Sequence, residues 1–138
     1  MYYDITPVTS AKEVDCGPTC LKMLLSYYGE DADIEQLSKE CNLKITGCSA
    51  ADLIRTGKLH GVDLKAYKTD VDGVIRTDRP SIIWWKYSHW CVCCGTDENG
   101  KVVICNPDSG RFRMSESLFK SCYSGVALFN GEPEDVPA

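Results

Sequence analysis

The chain has 138 residues, 43% of them hydrophobic and 25% charged, which is the balance of an ordinary soluble globular protein. Its formal net charge is −5, and no block of Lys or Arg interrupts it, so neither nucleic acid nor an anionic membrane is an expected partner. Met1-Tyr2-Tyr3-Asp4 lacks the basic and apolar regions of a signal peptide, and no apolar run approaches a membrane span, so a cytosolic domain over 1–129 is expected.

In chain order, Met1 to Val14 reads as irregular or extended, with Pro7 arguing against a long helix. A first helix is predicted from Gly17 to Tyr28, with Leu21, Leu24, Leu25 and Tyr28 as its buried stripe and Gly29 as its stop. A second covers Ile34–Cys41 with Asp33 or Asp31 as candidate cap, and a third covers Ser49–Leu59 with Ser49 as N-cap and Gly61 as stop. The pattern then turns to strand. Val62 to Tyr67 alternates roughly, until Asp72-Gly73 breaks it. Pro80 opens Ser81–Trp85, which is apolar enough to be buried on both faces. His89–Gly95 and Lys101–Asn106 form a hairpin through Thr96-Asp97-Glu98-Asn99-Gly100. Asn106-Pro107-Asp108-Ser109-Gly110 has the residue types of a turn. A short helix over Ser115–Cys122 and a last strand over Val126–Phe129 follow, then an acidic tail, 130–138, expected to be mobile. Helices first and an antiparallel sheet afterwards define an α+β fold.

Nine cysteines is a high and odd number. Cys41, Cys91, Cys93, Cys105 and Cys122 fall where a strand or helix faces a core, and reduced buried thiols are the expectation for them. Zinc is the rival for Cys91, Cys93, Cys94 and Cys105, but their spacing is not that of ligand pairs in tight turns. No metal and no cofactor is therefore expected.

Cys16 differs from the others. In Asp15-Cys16-Gly17-Pro18-Thr19-Cys20 it opens the first helix, where unpaired backbone N–H groups and the macrodipole favour negative charge, and the thiolate is the reactive form of cysteine. Gly17 permits close approach of another backbone, and Pro18 suits an opening helical turn. A Gly-Pro pair before a helix is also common punctuation, so the case for a nucleophile rests on partners. A thiol nucleophile needs a base, and the chain has only two histidines. His60 sits beside Gly61 at a helix end and reads as an exposed cap. His89 opens a strand at the mouth of the sheet. If the hairpin pairs as predicted, the end of its second strand returns Asn106 to His89, where the amide oxygen can accept from Nδ1–H and turn Nε2 to the thiol.

These residues in this order, Asp15-Cys16-Gly17-Pro18-Thr19-Cys20-Leu21 with Tyr27-Tyr28-Gly29, then His89, then Asn106-Pro107, resemble the C39 peptidase family over nearly the whole chain. The resemblance implies a papain-like cysteine peptidase fold, with N-terminal helices packed on a C-terminal antiparallel sheet. It implies Cys16 as nucleophile, His89 as general base and acid, and Asn106 as orienter. The substrate would be a peptide or protein cut after small residues, such as a Gly-Gly leader end. Two departures from the family stand out. Asparagine replaces the common aspartate at Asn106, a mild change because asparagine orients histidine in other papain-like enzymes. Ser10 stands where the family places a glutamine that helps bind the tetrahedral oxyanion, and losing one such donor typically costs about 10²–10³ in rate. The Cys16 backbone N–H remains as a donor, with Ser10, Thr9 or Lys12 as substitutes. Two alternatives follow: a catalytically impaired module that binds a peptide or partner, and a transferase using the same acyl-enzyme.

Overall fold

The computed structural model describes residues 2–10, 12–45 and 47–133. A single 3-10 turn, Glu13–Asp15, leads into three helices, α1 (Cys16–Tyr27), α2 (Ile34–Glu40) and α3 (Ala50–Leu59). Then come β1 (Leu64–Lys68), α4 (Val71–Ile75), β2 (Ser81–Trp85), β3 (His89–Thr96), β4 (Val102–Asn106), β5 (Gly110–Met114), α5 (Glu116–Cys122) and β6 (Tyr123–Asn130). Local chemistry sets the helix starts. Asp33 accepts the Glu35 N–H at α2, and Ser115 accepts the Leu118 N–H at 3.1 Å at α5. At α3, Ser49 and Asp52 satisfy each other's backbone N–H groups in a capping box.

The six strands form one antiparallel sheet in the order β1-β6-β2-β3-β4-β5. Strand alternation divides it between two cores. Ile82, Val92, Cys94, Val103, Cys105 and Leu128 pack with α1, α2 and α3. Ile83, Cys91, Cys93, Val102, Ile104, Ala127 and Phe129 pack with Val74 and Ile75 of α4 and Phe119 of α5. The sheet is thus covered on both faces, as the apolar run at Ser81–Trp85 anticipates. The pairs Cys91/Cys93 and Cys94/Cys105 fall on opposite faces, too far apart in environment to share one ion. Among the described residues no group of three or more His, Cys, Asp or Glu could hold a metal ion. No described helix is long and apolar enough to cross a membrane.

Two elements depart from the expected order. The Asp72-Gly73 break is a helix, α4, because Asp70 accepts the Gly73 N–H at 2.9 Å and Asp72 pairs with Arg76 four residues on. After the Asn106–Gly110 turn the chain does not drift to the next helix but forms β5, an edge strand pairing from Val102↔Met114 to Asn106↔Gly110. Its charged Arg111 and Arg113 hid the alternation; in the fold both guanidinium groups lie over the Tyr2 ring. β6 begins at Tyr123 and reaches Asn130, whose Oδ1 accepts the Asp63 N–H at 2.9 Å. Of the tail expected to be mobile, residues 134–138 lie outside the described residues.

Candidate active site

Three separate parts of the chain converge at the N-terminus of α1. The first is the helix itself. From Cys16 to Leu25 every residue but Lys22 is buried, so α1 runs through the core and holds Cys16 where the helix emerges. The close approach expected at Gly17 is made by a side chain rather than a backbone. A methyl group there would overlap the Cys48 sulfur and sit 3.3 Å from Trp90 Cδ1 and 3.4 Å from Leu53 Cδ2. Gly17→Ala is therefore expected to destabilise the fold by about 1–3 kcal/mol in denaturant titration, and Gly17→Ala/Cys48→Ala to recover much of the loss.

The second part is the β3–β4 hairpin. Its regular pairing runs to Val92↔Cys105; beyond it Asn106 follows one residue along β4, and His89 stands three residues back at the start of β3. His89 Nε2 lies 2.9 Å from Asn106 Oδ1. That oxygen also accepts the Asp108 N–H at 2.9 Å, which fixes the amide with its oxygen toward both donors. An amide oxygen only accepts, so the shared proton is on Nε2. The expected ring orientation is reversed: Nε2, not Nδ1, meets Asn106, because Asn106 reaches the imidazole from the strand end beyond the ladder. Nδ1 is the ring nitrogen that Asn106 leaves free. The Cys16 thiol is the first cause, and the Asn106 bond a further one, that raises the His89 pKa from 6.5 to about 9 against the opposing effect of burial. Asp108 Oδ2 lies 3.7 Å from Nε2 and pushes the same way.

The third part is the N-terminal segment, which straps across the sheet. Tyr3 N–H donates to Cys94 O at 2.7 Å, Arg111 donates to Ile5 O at 2.5 Å, and Ser10 N–H donates to Pro107 O at 2.8 Å. Ser10 thereby joins the turn carrying Asn106 to the residue before Cys16, since its hydroxyl donates to buried Asp15 at 2.5 Å. Its oxygen also accepts the Lys12 N–H at 3.3 Å. Among the described residues, Thr9 and the Lys12 side chain show no hydrogen bond into the site.

On one flank of Cys16 opens a groove of about 180 Å³ lined by Val14, Cys48, Trp84, Ser88 and Trp90. Trp84 and Trp90 pack with ring centroids 4.5 Å apart, and the Trp90 N–H donates to Cys48 O at 3.2 Å. Cys48 is half-buried beside the groove, yet its hydrogen bond to Cys41 and then burial push its pKa up, so it stays a neutral wall. Cys20, one turn along α1, is likewise raised by burial. His60 is elsewhere: it caps α3, and its Nε2 pairs with Glu40 Oε1 at 2.7 Å. The structure thus brings together Cys16, His89, Asn106 and Ser10. It adds Cys48 and the Asp108 carboxylate, which spacing alone did not single out.

Helices on a six-stranded antiparallel sheet, with a cysteine at a helix start facing a strand-end histidine, are the architecture of the papain-like cysteine peptidases. Residues 4–135 match the Peptidase C39 family, and the chain belongs to it. Among solved structures, the chain is similar to the peptidase domain of Streptococcus ComA, a bi-functional ABC transporter involved in a quorum-sensing pathway. The identity is 25% and the TM-score 0.82, over 91% of this chain and 97% of that one. A double glycine motif protease from an AMS/PCAT transporter, solved with its leader peptide, shares the fold at TM-score 0.86 and 22% identity, over 93% and 91% of the two chains. The lactococcin-G-processing and transport ATP-binding protein LagD of Lactococcus lactis subsp. lactis is 29% identical over 123 residues, 85% of this chain. The match spans only 17% of that relative's length.

Proposed function

We propose that the chain hydrolyses a peptide bond through Cys16 as nucleophile, His89 as general base and acid, and Asn106 as orienter. The observation that supports this most is the bond of His89 Nε2 to Asn106 Oδ1 at 2.9 Å, on a ring whose pKa the Cys16 thiol raises more than any other group. In this reading the Cys16 thiolate attacks the scissile carbonyl, protonated His89 delivers its proton to the leaving amine, and His89 then activates the water that releases the acyl group. The Cys16 backbone N–H, at the open start of α1, serves the oxyanion. The substrate is a peptide or protein cut after small residues such as Gly-Gly. Supporting this are the small groove of about 180 Å³ beside Cys16, walled by Val14 and the two indoles, and the double-glycine protease that shares the fold. The setting is cytosolic, which suits nine cysteines that are all free.

The test is incubation of the purified protein with synthetic peptides carrying a Gly-Gly pair or a bulky replacement, with products weighed by mass spectrometry. Cleavage directly after Gly-Gly, lost with the bulky pair, is expected; an uncut Gly-Gly peptide overturns the proposal. The pH profile supplies a second check. Attack needs the imidazolium beside the thiolate, and His89 loses its proton as pH rises through about 9. The expected outcome is a basic limb in kcat/KM near pH 9, measured with the same peptide. A second reading, a peptide-binding module with impaired chemistry, is favoured by one observation: the Ser10 hydroxyl is committed to Asp15. Under that reading the peptide binds but is not cut.

A further inference from the structure

Asn106 supplies His89 with an acceptor but no charge. Its oxygen is shared between His89 Nε2 and the Asp108 N–H, each at 2.9 Å, so only one rotamer of the amide is allowed. The carboxylate of the same Asp108 reaches to 3.7 Å from Nε2, on the rim of a cavity of about 330 Å³ also lined by Trp85, Tyr87 and Ser88. The turn holding Asp108 is tethered independently, through Pro107 O to the Ser10 N–H and through Asn106 O to the Ser109 N–H at 3.2 Å. We propose that Asp108 is a positioning residue of the site: its backbone N–H locks the Asn106 amide, and its carboxylate supplies the counter-charge for the imidazolium form of His89. This rests on the reading of His89 as the general base.

The two tasks that one carboxylate could perform alone are here divided between neighbours. Asn106 sets direction, because its bond to Nε2 is short and fixed. Asp108 sets charge, because it is a full anion one step further out. The other titratable groups about the ring, among the described residues, are the Cys16 thiol on α1, which raises the His89 pKa, and the exposed Tyr87 phenol that shares the cavity. The Asp108 side chain is 50% exposed, so its pull passes partly through solvent and is sensitive to salt.

Asp108→Asn removes the charge while keeping size and the backbone N–H. The His89 ring is titrated by NMR in wild type, Asp108→Asn and Asn106→Asp/Asp108→Asn; the only other histidine is His60. The expected result is a His89 pKa lower by about 0.5–1 unit in Asp108→Asn at low ionic strength. The difference shrinks in 1 M salt, and the double variant returns to the wild-type value or above. The basic limb of kcat/KM moves with the ring. An unshifted His89 titration in Asp108→Asn overturns the proposal, as does a shift that salt leaves intact. The NMR readout needs no turnover, so a wild-type protein that cuts nothing refutes the peptidase reading and leaves the Asp108 result to stand or fall separately.

Discussion

Cys16→Ala is expected to lower kcat/KM for a Gly-Gly peptide by on the order of 10⁴–10⁶-fold, with the fold and peptide binding retained. The size follows from the loss of the proposed covalent nucleophile, after which the remaining machinery adds only modestly to the reaction in water. No other thiol near the groove is placed to take over. Cys48 is held neutral by its bond to Cys41 and by burial, and Cys20 is buried one turn further into the helix. Mass spectrometry separates the possibilities: wild type should accumulate an acyl adduct at Cys16 with a slowly released ester substrate, and the variant should not. Equal turnover in Cys16→Ala would sink the covalent mechanism.

His89→Ala is expected to cost about 10³–10⁴-fold in kcat/KM, because in the proposed mechanism it removes both the base that holds the thiolate and the acid that protonates the leaving amine. The basic limb near pH 9 should vanish with it, and added imidazole should restore part of the rate. Stability carries a second signature. The pKa of His89 is raised in the folded protein, from 6.5 to about 9. Its contribution to stability is therefore fully present below about pH 6.5 and is lost as pH rises through about 9. Thermal melts of wild type and His89→Ala should differ more at pH 6 than at pH 9.5. The reverse order would show that the ring is not held as its hydrogen bonds indicate.

The α+β order, the helix starts at Ser49 and Ser115, and the meeting of His89 with Asn106 could be read from residue types and spacing; the cap of α2 was open between Asp33 and Asp31, and the approach of Cys16 to His89 came from the family resemblance. Caps and hairpins are local, and a hairpin dictates which strand ends meet. What escaped was set by less local chemistry. Asp72-Gly73 looked like a break because α4 is a single turn held by Asp70 and the Asp72–Arg76 pair. β5 was missed because its exposed face is two arginines whose apolar partner, Tyr2, is far away in the chain. The reversal of the His89 ring and the seat of Cys48 against Gly17 depend on distances of an ångström or two, which residue spacing does not encode.

The strap formed by the first residues has a consequence for the order of folding. Cys105 contacts Ile5 across 100 residues of chain, and Arg111 reaches the same residue across 106. Such closures come late, after their loop entropy has been offset by other contacts. During synthesis the Cys16 helix emerges long before the strands that bring His89 and Asn106. A nascent or partly folded chain therefore has Cys16 without His89 and Asn106 beside it. The site assembles only when β4 and its following turn dock under the strap, so the cleavage proposed here would be tied to completion of the sheet.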